Sequence, residues 1–364
     1  MFGIGSFGVI ERTYILNVTL TIFPPFINLI KTSPQESLVR IQSLLLLLCC
    51  ASVSVVGAPS EFSSAPFLDP EKEYMVPVEG GKVYVRTNGI EHKDSVPAIF
   101  IHGGPGGIHN GFAGLLGLAD ERQIVLYDQL GSGKSERPNE PKNWRVERFV
   151  EELEFIRREL GISTWHLVGF SWGSALALEY SVKYPQHVAS TVLGGTFIST
   201  PHWIRDANIL VAQAPDDIQK SLELCESDTP PDGSVCAKAY TALYSQFYNP
   251  PNNYDQYIEY AERLGGKGFN ALIYEEMWGP SEFSATGTLR NYDAMPLLKK
   301  IDPRKTSFII GQYDSARIDT LQEYLLLTPG AEFAVIPGAA HGFIIDRPTV
   351  VEAMLRSWFN RLEE

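Results

Sequence analysis

Gly169–Ala175 reads GFSWGSA and sets Ser171 between two glycines, at the point where a predicted strand changes into a predicted helix. The apolar segment Trp165–Val168 precedes this stretch, and Ser174–Tyr184 continues it with a helical pattern. G-x-S-x-G at such a junction is typical of a strained turn that displays a serine nucleophile, because a side chain at either glycine would collide with the strand or the helix. A glycine-rich bend that happens to contain a serine is the alternative.

Short apolar segments alternate with helical patterns on both sides of this turn. The predicted strands are Gly81–Arg86, Val96–Ile101, Arg122–Tyr127, Trp165–Val168, Val188–Gly194, Ser307–Ile310 and Glu332–Ile336. The predicted helices of this part are Val146–Leu160, Ser174–Tyr184 and Pro348–Arg361. Several of the strands are continuous apolar runs that end in glycine-rich loops, as buried parallel strands do. The sequence therefore predicts an α/β fold, with a mostly parallel sheet flanked by helices.

The pattern changes between residues 201 and 296, where prolines separate aromatic and polar helical segments and no convincing buried strand occurs. The helical segments there are Tyr240–Tyr248, Tyr254–Leu264 and Ala271–Trp278. This arrangement indicates a helical cap that is inserted into the sheet domain. We therefore expect a core formed by residues 59–200 and 297–364, with the cap at 201–296.

The overall charge excludes several classes of partner. The chain has 364 residues and a formal net charge of −13, and its pI is near 5.1. Such a negative field repels nucleic acids and anionic membrane surfaces, and no run rich in lysine or arginine offsets it. The sequence therefore predicts no nucleic-acid partner, and it leaves the oligomeric state open.

The N-terminal segment has the pattern of a secretory signal. Leu44–Val56 is apolar throughout apart from two serines, Arg40 precedes it, and the small residues Gly57–Ser60 follow, as at a cleavage site. The run is short for a membrane span, which needs roughly 20 residues. We therefore expect residues 1–58 to be a leader that is removed, with the signal around 38–58, and a secreted product without a stable membrane partner. A membrane anchor through an uncleaved N-terminal segment is the alternative.

The cysteines agree with export. Cys49 and Cys50 lie in the presumed leader, which leaves Cys225 and Cys236 on either side of the turn-rich stretch ESDTPPDGSV. Two cysteines around such a loop in an exported protein predict a local disulfide. Two unpaired thiols in a cytosolic protein are the alternative.

A serine hydroxyl becomes an effective nucleophile when a neighbouring base takes its proton and an acid orients that base. Asp314 follows the predicted strand Ser307–Ile310, and His341 follows Glu332–Ile336. Of the seven histidines, His341 is the one that comes after both the serine and this acid. The chain order Ser171, Asp314, His341 is that of α/β-hydrolases, so we predict a catalytic triad of these three residues.

Acyl transfer also needs two backbone N–H groups that hold the negative oxygen of the tetrahedral intermediate. One donor is expected from Trp172, the residue after the predicted nucleophile. The other is expected from His102–Gly107 (HGGPGG), where missing side chains let the backbone approach a substrate, and His102 itself is predicted to hold this loop. Gly131–Ser135 (GSGKS) lacks the spacing of a phosphate-binding loop, and no metal-binding motif occurs, so we predict neither cofactor nor metal.

A series of motifs runs in order from about residue 73 to the C-terminus. They are HGGPGG at 102–107, YDQLGSGKS at 127–135, GFSWGS at 169–174, MWGPSEF at 277–283, TGTLRNYD at 286–293 and GQYD at 311–314. Together they resemble the proline iminopeptidase family of serine peptidases, which are α/β-hydrolases with a helical cap. The resemblance implies an enzyme that removes N-terminal residues, often proline, from peptides, amides or arylamides.

The resemblance also implies roles for single residues. It implies that Ser171 is the nucleophile, His341 the base and Asp314 the acid that orients this base. It further implies that the amides of Gly104 and Trp172 donate the hydrogen bonds of the oxyanion hole.

Substrate recognition is expected from the cap. Glu282, in GPSEF, matches a cap glutamate that binds the free amino group of the substrate, and Tyr274, Trp278 and Phe283 are candidate walls of the substrate pocket. A carboxylate that faces an ammonium explains an exopeptidase, because only a chain terminus carries that charge. Family members often have a second glutamate after the catalytic acid, whereas this chain has Ser315.

The leading hypothesis is therefore a serine hydrolase of proline iminopeptidase type, which acts on a small peptide, amide or ester. An amidase or esterase that acts on a small metabolite with the same triad is the alternative, and the serine at 315 favours it. A binding protein on a hydrolase fold is a third hypothesis. The presence of both a nucleophile and a base counts against it.

Overall fold

The computed structural model describes residues 67–364, except residues 93, 228, 230 and 248–253. The predicted leader, residues 1–58, lies outside the described residues. Among the helices of the described part, none has both the length and the apolar character that a membrane span requires.

One sheet of eight strands forms the centre of the described chain, in the order β1-β2-β4-β3-β5-β6-β7-β8. The strands are β1 (Lys72–Val78), β2 (Gly81–Asn88), β3 (Ala98–Ile101), β4 (Ile124–Tyr127), β5 (Trp165–Phe170), β6 (Val188–Gly194), β7 (Thr306–Gly311) and β8 (Glu332–Ile336). β2 runs antiparallel to β1 and β4, and β3 to β8 are parallel to one another. The prediction of a mostly parallel sheet is confirmed, and the loops after β3 to β8 all leave from the same edge.

Ten α-helices accompany this sheet in the described residues. They are α1 (Val146–Glu159), α2 (Trp172–Lys183), α3 (Thr200–Val211), α4 (Asp216–Cys225), α5 (Gly233–Phe247), α6 (Tyr254–Leu264), α7 (Ala271–Met277), α8 (Ile318–Leu327), α9 (Phe343–Asp346) and α10 (Pro348–Glu363). A 3-10 helix of 12 residues, His109–Asp120, precedes β4. The sequence patterns predicted neither β1 nor α3, α4, α8 and α9. β1 lies at the sheet edge with mostly exposed side chains, so it lacks the continuous apolar run of the inner strands.

Both faces of the sheet are covered by helices. Neighbouring residues on a strand point to opposite faces, so Ile99 of β3 packs in one core with Phe149 of α1. Phe100 packs in the other core with Phe112 and with Phe359 of α10. Burial on both faces explains why β3 and β4 are continuous apolar runs.

Five of these α-helices, α3 to α7, lie between β6 and β7. Helices α3, α4 and α5 share a small apolar cluster of their own, which includes Leu210, Leu222 and Leu243. A disulfide joins Cys225, at the end of α4, to Cys236 in α5, with 5.6 Å between the Cα atoms. The pairing expected from the sequence is thus present.

The segment before α7 attaches this helical region to the loops of the sheet. The backbone N–H of Asn270 donates to the carbonyl of Gly106 (2.9 Å), and its Nδ2 donates to the carbonyl of Gly131 (2.7 Å). Its Oδ1 accepts from the N–H of Leu272 (3.2 Å) and caps α7. A single residue therefore ties the start of α7 to two glycine-rich loops.

A buried ion pair connects α1 to the turn between β1 and β2 and to the loop after β4. Arg148 and Glu152 bond to each other with side chains that are 1% and 0% exposed. Nε of Arg148 also donates to the carbonyl of Glu79 (2.9 Å), and Glu152 accepts from the N–H of Leu130 (3.2 Å). Burial raises the pKa of Glu152, and the guanidinium of Arg148 opposes this shift.

We predict that Arg148→Met destabilises the fold by about 3–5 kcal/mol, because it leaves the Glu152 carboxylate buried without a compensating charge. The double variant R148M/E152M should recover most of this loss, since neither charge then remains. Urea unfolding followed by tryptophan fluorescence measures both values. Equal stability of the single and double variants would contradict the prediction.

Candidate active site

Ser171 occupies a strained turn between β5 and α2. Its backbone has φ 55° and ψ −122°, a conformation that residues with a side chain rarely adopt. A Cβ atom on Gly169 would lie 2.3 Å from the carbonyl oxygen of Gly173, and a Cβ on Gly173 would lie 2.0 Å from that of Ile101. The two glycines are therefore required by close backbone contacts, and the serine is displayed as the motif predicted.

Hydrogen bonds hold this turn in place. The N–H of Ser171 donates to the carbonyl of Gly194 at the end of β6 (2.8 Å). Oγ of Ser174 donates to the carbonyl of Ser171 (2.6 Å) and accepts from the N–H of Phe197 (2.9 Å). Sequence analysis did not single out Ser174, although its place in the first turn of α2, three residues after the nucleophile, brings it within reach of that carbonyl.

Asp314 and His341 lie in the loops that follow β7 and β8. Nδ1 of His341 is 2.7 Å from Oδ1 of Asp314, and both side chains are buried. The same carboxylate oxygen accepts from the N–H of Ala316 (3.0 Å), which fixes its direction. His341 and Ser171 line the same cavity, so the structure brings the three predicted triad residues together at one edge of the sheet.

Two opposing effects set the proton affinity of His341. Burial lowers its pKa, but the negative charge and hydrogen bond of Asp314, with a further contribution from Glu282, raise it more, so the net pKa lies above the ordinary value. The ring packs against Phe170 and Trp203, with centroids 5.1 and 5.5 Å away. These contacts fix the plane of the imidazole beside the nucleophile.

A cavity of about 570 Å³ opens at Ser171. Most of its lining is apolar or glycine, and the lining residues are His102, Gly103, Gly104, Gly107, Ile108, Gly111, Phe112, Phe170, Ser171, Tyr244, Phe269, Tyr274, Pro280, Ser281, Glu282, His341, Ile344 and Ile345. A much smaller recess shares Gly104, Ser171 and Glu282 with this cavity, and its other walls are Pro105, Trp172, Phe197, Trp203, Trp278 and Leu289. Glu282 is the one carboxylate among the residues that line these two spaces.

The two predicted oxyanion donors flank the nucleophile. Gly104 and Trp172, which opens α2, both line the recess with Ser171. Nε1 of Trp172 donates to Oε1 of Gln129 (3.0 Å), and the N–H of Gln129 donates to Nε2 of His102 (3.0 Å). This chain of hydrogen bonds couples the loop of Gly104 to helix α2.

His102 holds its loop as a neutral ring. Burial lowers its pKa to about 4, so Nε2 is free to accept from Gln129 while Nδ1 donates to the carbonyl of Gly103 (2.8 Å). Its expected role as a structural residue agrees with these contacts.

The glycine-rich loop after β4 is also explained by internal contacts. The carboxylate of Asp128 accepts from the backbone N–H of Lys134 (2.8 Å) and of His109 (2.9 Å). A Cβ on Gly133 would lie 2.1 Å from the same carboxylate. Gly133 thus packs against a buried aspartate, whereas Gly131 packs against Ile273 of α7. Among the residues that the structure describes, no group of three or more His, Cys, Asp or Glu side chains is arranged to hold a metal ion.

Glu282 presents its carboxylate to the cavity. Oε1 accepts from the hydroxyl of Tyr274 (2.6 Å). Burial raises the pKa of Glu282, while Tyr274, the charge of His341 and the indole of Trp203 oppose this shift. Trp278 lines the recess and donates from Nε1 to the carbonyl of Ser281 (2.7 Å), so it also supports the segment that carries the glutamate.

The structure corrects one expected wall of the pocket. Phe283 lines neither the cavity nor the recess, and instead packs in the apolar cluster of α3, α4 and α5, where it is 8% exposed. Its ring stacks on Tyr244 with 5.7 Å between centroids. The tight turn from Ser281 to Ser284 directs Phe283 into the helical region while Glu282 faces the cavity.

Ser315 supplies no second group to the cavity. It is buried beside the triad, with its Oγ 3.5 Å from Oδ1 of Asp314, and it lines neither space. The carboxylate of Glu282 therefore faces the substrate space without a glutamate at the position after the acid.

Comparison with known proteins agrees with this geometry. A model of the α/β-hydrolase fold family matches residues 97–348. A proline iminopeptidase of Heyndrickxia coagulans is 35% identical over 290 residues, which is 80% of this chain and 99% of that protein. Among solved structures, VinJ matches with a TM-score of 0.71 at 26% identity, over 81% of this chain and 100% of that one. A proline iminopeptidase of Mycobacterium smegmatis matches with a TM-score of 0.68 at 26% identity, over 80% and 99% of the two chains.

We predict that activity is lost as the pH falls through the raised pKa of His341, because a protonated imidazole cannot take the proton of Ser171. Asp314→Asn should move this acidic limb to lower pH, since it removes the charge that raises the pKa, and should lower kcat by about 10⁴-fold. The pH profile of kcat/KM with a short-chain aryl ester checks both effects. Asp319→Asn, at an exposed acid on the following helix, is the control, and an acidic limb that stays in place in the Asp314 variant would contradict the assignment.

Proposed function

The chain belongs to the α/β-hydrolase family and, within it, to the proline iminopeptidases, and on that premise we propose that it is a serine aminopeptidase that releases an N-terminal residue from small peptides or amides. The preferred residue in this proposal is proline or another small or apolar amino acid. The observation that carries the proposal is the single carboxylate, Glu282, which shares a cavity with the nucleophile Ser171.

The reaction begins with acylation of the serine. His341 takes the proton of the Ser171 hydroxyl as Oγ attacks the carbonyl carbon of the N-terminal residue. The amides of Gly104 and Trp172 hold the negative oxygen that forms, and Asp314 stabilises the imidazolium. The C–N bond then breaks, and His341 gives its proton to the leaving amine.

Deacylation repeats these steps with water. His341 takes a proton from a water molecule as its oxygen attacks the acyl carbon, and returns that proton to Oγ of Ser171 when the ester bond breaks. The products are the free amino acid and the shortened peptide or amine. The steps use neither a metal nor a cofactor.

Recognition of the free terminus is assigned to Glu282. Removal of an ammonium from water costs free energy unless a charged partner compensates it, and this carboxylate is the acid available in the cavity. The hydroxyl of Tyr274 donates to one of its oxygens at 2.6 Å, and the indole of Trp203 also hydrogen-bonds to the carboxylate. An internal peptide bond presents a neutral N–H there, so the enzyme acts on chain ends.

A second candidate is an amidase or esterase for a small metabolite. The observation that favours it is the apolar wall of the cavity, which includes Ile108, Phe112, Ile344 and Ile345 and suits a hydrocarbon group better than a polar peptide. The buried Ser315, which offers no second anchor for an amine, points in the same direction.

We predict that Glu282→Gln lowers kcat/KM for a prolyl-arylamide by roughly 10- to 100-fold, the value of a hydrogen bond between charged groups. Hydrolysis of a short-chain aryl ester, which has no amine to bind, should change little. Steady-state kinetics of the chain without residues 1–58 measure both substrates, alongside alanyl-arylamide and the N-acetylated prolyl-arylamide.

Assays of the wild-type enzyme distinguish the two candidate functions. Cleavage of the free-amine substrates without cleavage of the acetylated one supports the aminopeptidase. If the acetylated amide or the ester is cleaved equally well, and Glu282→Gln affects all substrates alike, the metabolite amidase or esterase replaces it.

We further propose that the protein is exported through a signal around residues 38–58. The disulfide between Cys225 and Cys236 supports this proposal, because such bonds persist mainly in oxidising compartments. Peptides and amides outside the cell would then be the available substrates.

Expression of the full chain in a secretory host should release a protein whose N-terminus lies near residue 59. Intact mass and N-terminal sequencing of the protein in the medium check this result. Full-length chain in the membrane fraction would instead support an uncleaved anchor.

A further inference from the structure

The disulfide is not part of the catalytic triad, yet residues near both of its cysteines contact the segment that carries Glu282. We propose that Cys225–Cys236 positions Glu282 for the amino group of the substrate, and so controls amine recognition rather than acyl chemistry. The inference rests on the proposed role of Glu282 in binding a free terminus. The two cysteines act in it as positioning residues.

The first end of the disulfide leads to the residue before Glu282. Glu226 follows Cys225 directly, and its Oε1 accepts from Oγ of Ser281 at 3.2 Å. Ser281 is 2% exposed, and its carbonyl accepts from Nε1 of Trp278 at 2.7 Å. The end of α4 and the wall of the recess therefore hold Ser281 from two sides.

The helix that carries Cys236 contacts Glu282 itself and the residue after it. Cys236, Tyr240 and Tyr244 follow one another at four-residue spacing, so they share one face of α5. The hydroxyl oxygen of Tyr244 accepts from the N–H of Glu282 at 3.4 Å, and its ring stacks on Phe283. The rings of Tyr240 and Tyr244 also stack, with centroids 6.3 Å apart.

These contacts fix the glutamate from two directions. Its carboxylate is held by Tyr274 of α7, whereas its backbone is held by α4 and α5. The apolar cluster between α4 and α5 is small, with Leu222, Ala239 and Leu243 as its buried members from these two helices. A covalent bond between α4 and α5 therefore limits how far Tyr244 can move relative to Glu226.

The acyl chemistry has a separate support. Ser171, Asp314 and His341 follow β5, β7 and β8, and none of the contacts that hold the triad passes through the disulfide. Loss of the bond should therefore displace Glu282 and leave the nucleophile and its base in place. This separation makes the proposal testable.

The test compares wild type with C225S/C236S on two substrates, a prolyl-arylamide and a short-chain aryl ester without an amine. We expect KM for the arylamide to rise about tenfold in the double variant, because a displaced carboxylate loses roughly tenfold in its affinity for the amino group of the substrate. At a pH above the acidic limb, where His341 is neutral wherever Glu282 lies, the kcat for the arylamide and both constants for the ester should stay within about twofold. The groups that form the transition state are not displaced. Reduction of the wild type with a dithiol should reproduce the change, and reoxidation should reverse it.

Matched variants separate positioning from a general loss of stability. Glu226→Ala removes the acceptor of Ser281 and should raise KM for the arylamide, whereas Glu226→Gln keeps an oxygen there and should restore most of the affinity. Lys238→Ser changes an exposed residue of α5 and should behave as wild type.

Hydrogen exchange should show faster exchange in residues 278–284 of the double variant and unchanged exchange in residues 165–175.

Three results would overturn the inference. An unchanged KM for the arylamide, with unchanged exchange in residues 278–284, shows that the disulfide does not position the glutamate. Equal losses with arylamide and ester show a general structural role. A wild-type enzyme that cleaves free and acetylated amines equally well refutes the proposed function, and with it the inference. This failure is recognised from the wild type alone, without the variants.

Discussion

The close approach of α2 to β3 at Gly173 is the constraint on which the active site depends. The carbonyl of Ile101 lies where a side chain on Gly173 would have to be, so helix and strand meet backbone to backbone. This contact keeps Ser171 in a conformation that costs free energy, and the sheet around it supplies the compensation. With the serine fixed above the centre of a parallel sheet, the loops after the neighbouring strands converge on it.

This arrangement explains which features could be predicted from the sequence and which could not. The inner strands and the triad could be predicted, because burial on both faces leaves continuous apolar runs and the chemistry demands residues in a known chain order. Strand β1 and helices α3 and α4 could not. β1 and α4 each bury a single residue fully, and the buried face of α3 includes the polar residues Thr200 and Asp206, so the apolar periodicity is weak. Phe283 was misplaced for a related reason. Whether an aromatic residue faces the substrate or the cap interior depends on a single turn, which residue types alone do not specify.

In the proposed function, acyl chemistry and substrate recognition depend on different parts of the chain. The nucleophile, acid and base follow strands of one sheet, where hydrogen-bonded neighbours fix their spacing within the fold. Glu282 and Tyr274, the groups proposed for recognition, belong to the region between β6 and β7, which is joined to the sheet domain by polar contacts such as those of Asn270. A change in these helices can therefore alter which substrates bind while the reacting groups stay where they are.

Glu282 lies close enough to His341 for its charge to contribute to the proton affinity of the imidazole. A substrate that brings an ammonium to Glu282 cancels that contribution, and the base then holds its proton less tightly than in the empty enzyme. The imidazole becomes neutral more readily once a cationic substrate is in place. In the proposed function, the amino group of the substrate therefore also lowers the proton affinity of the catalytic base.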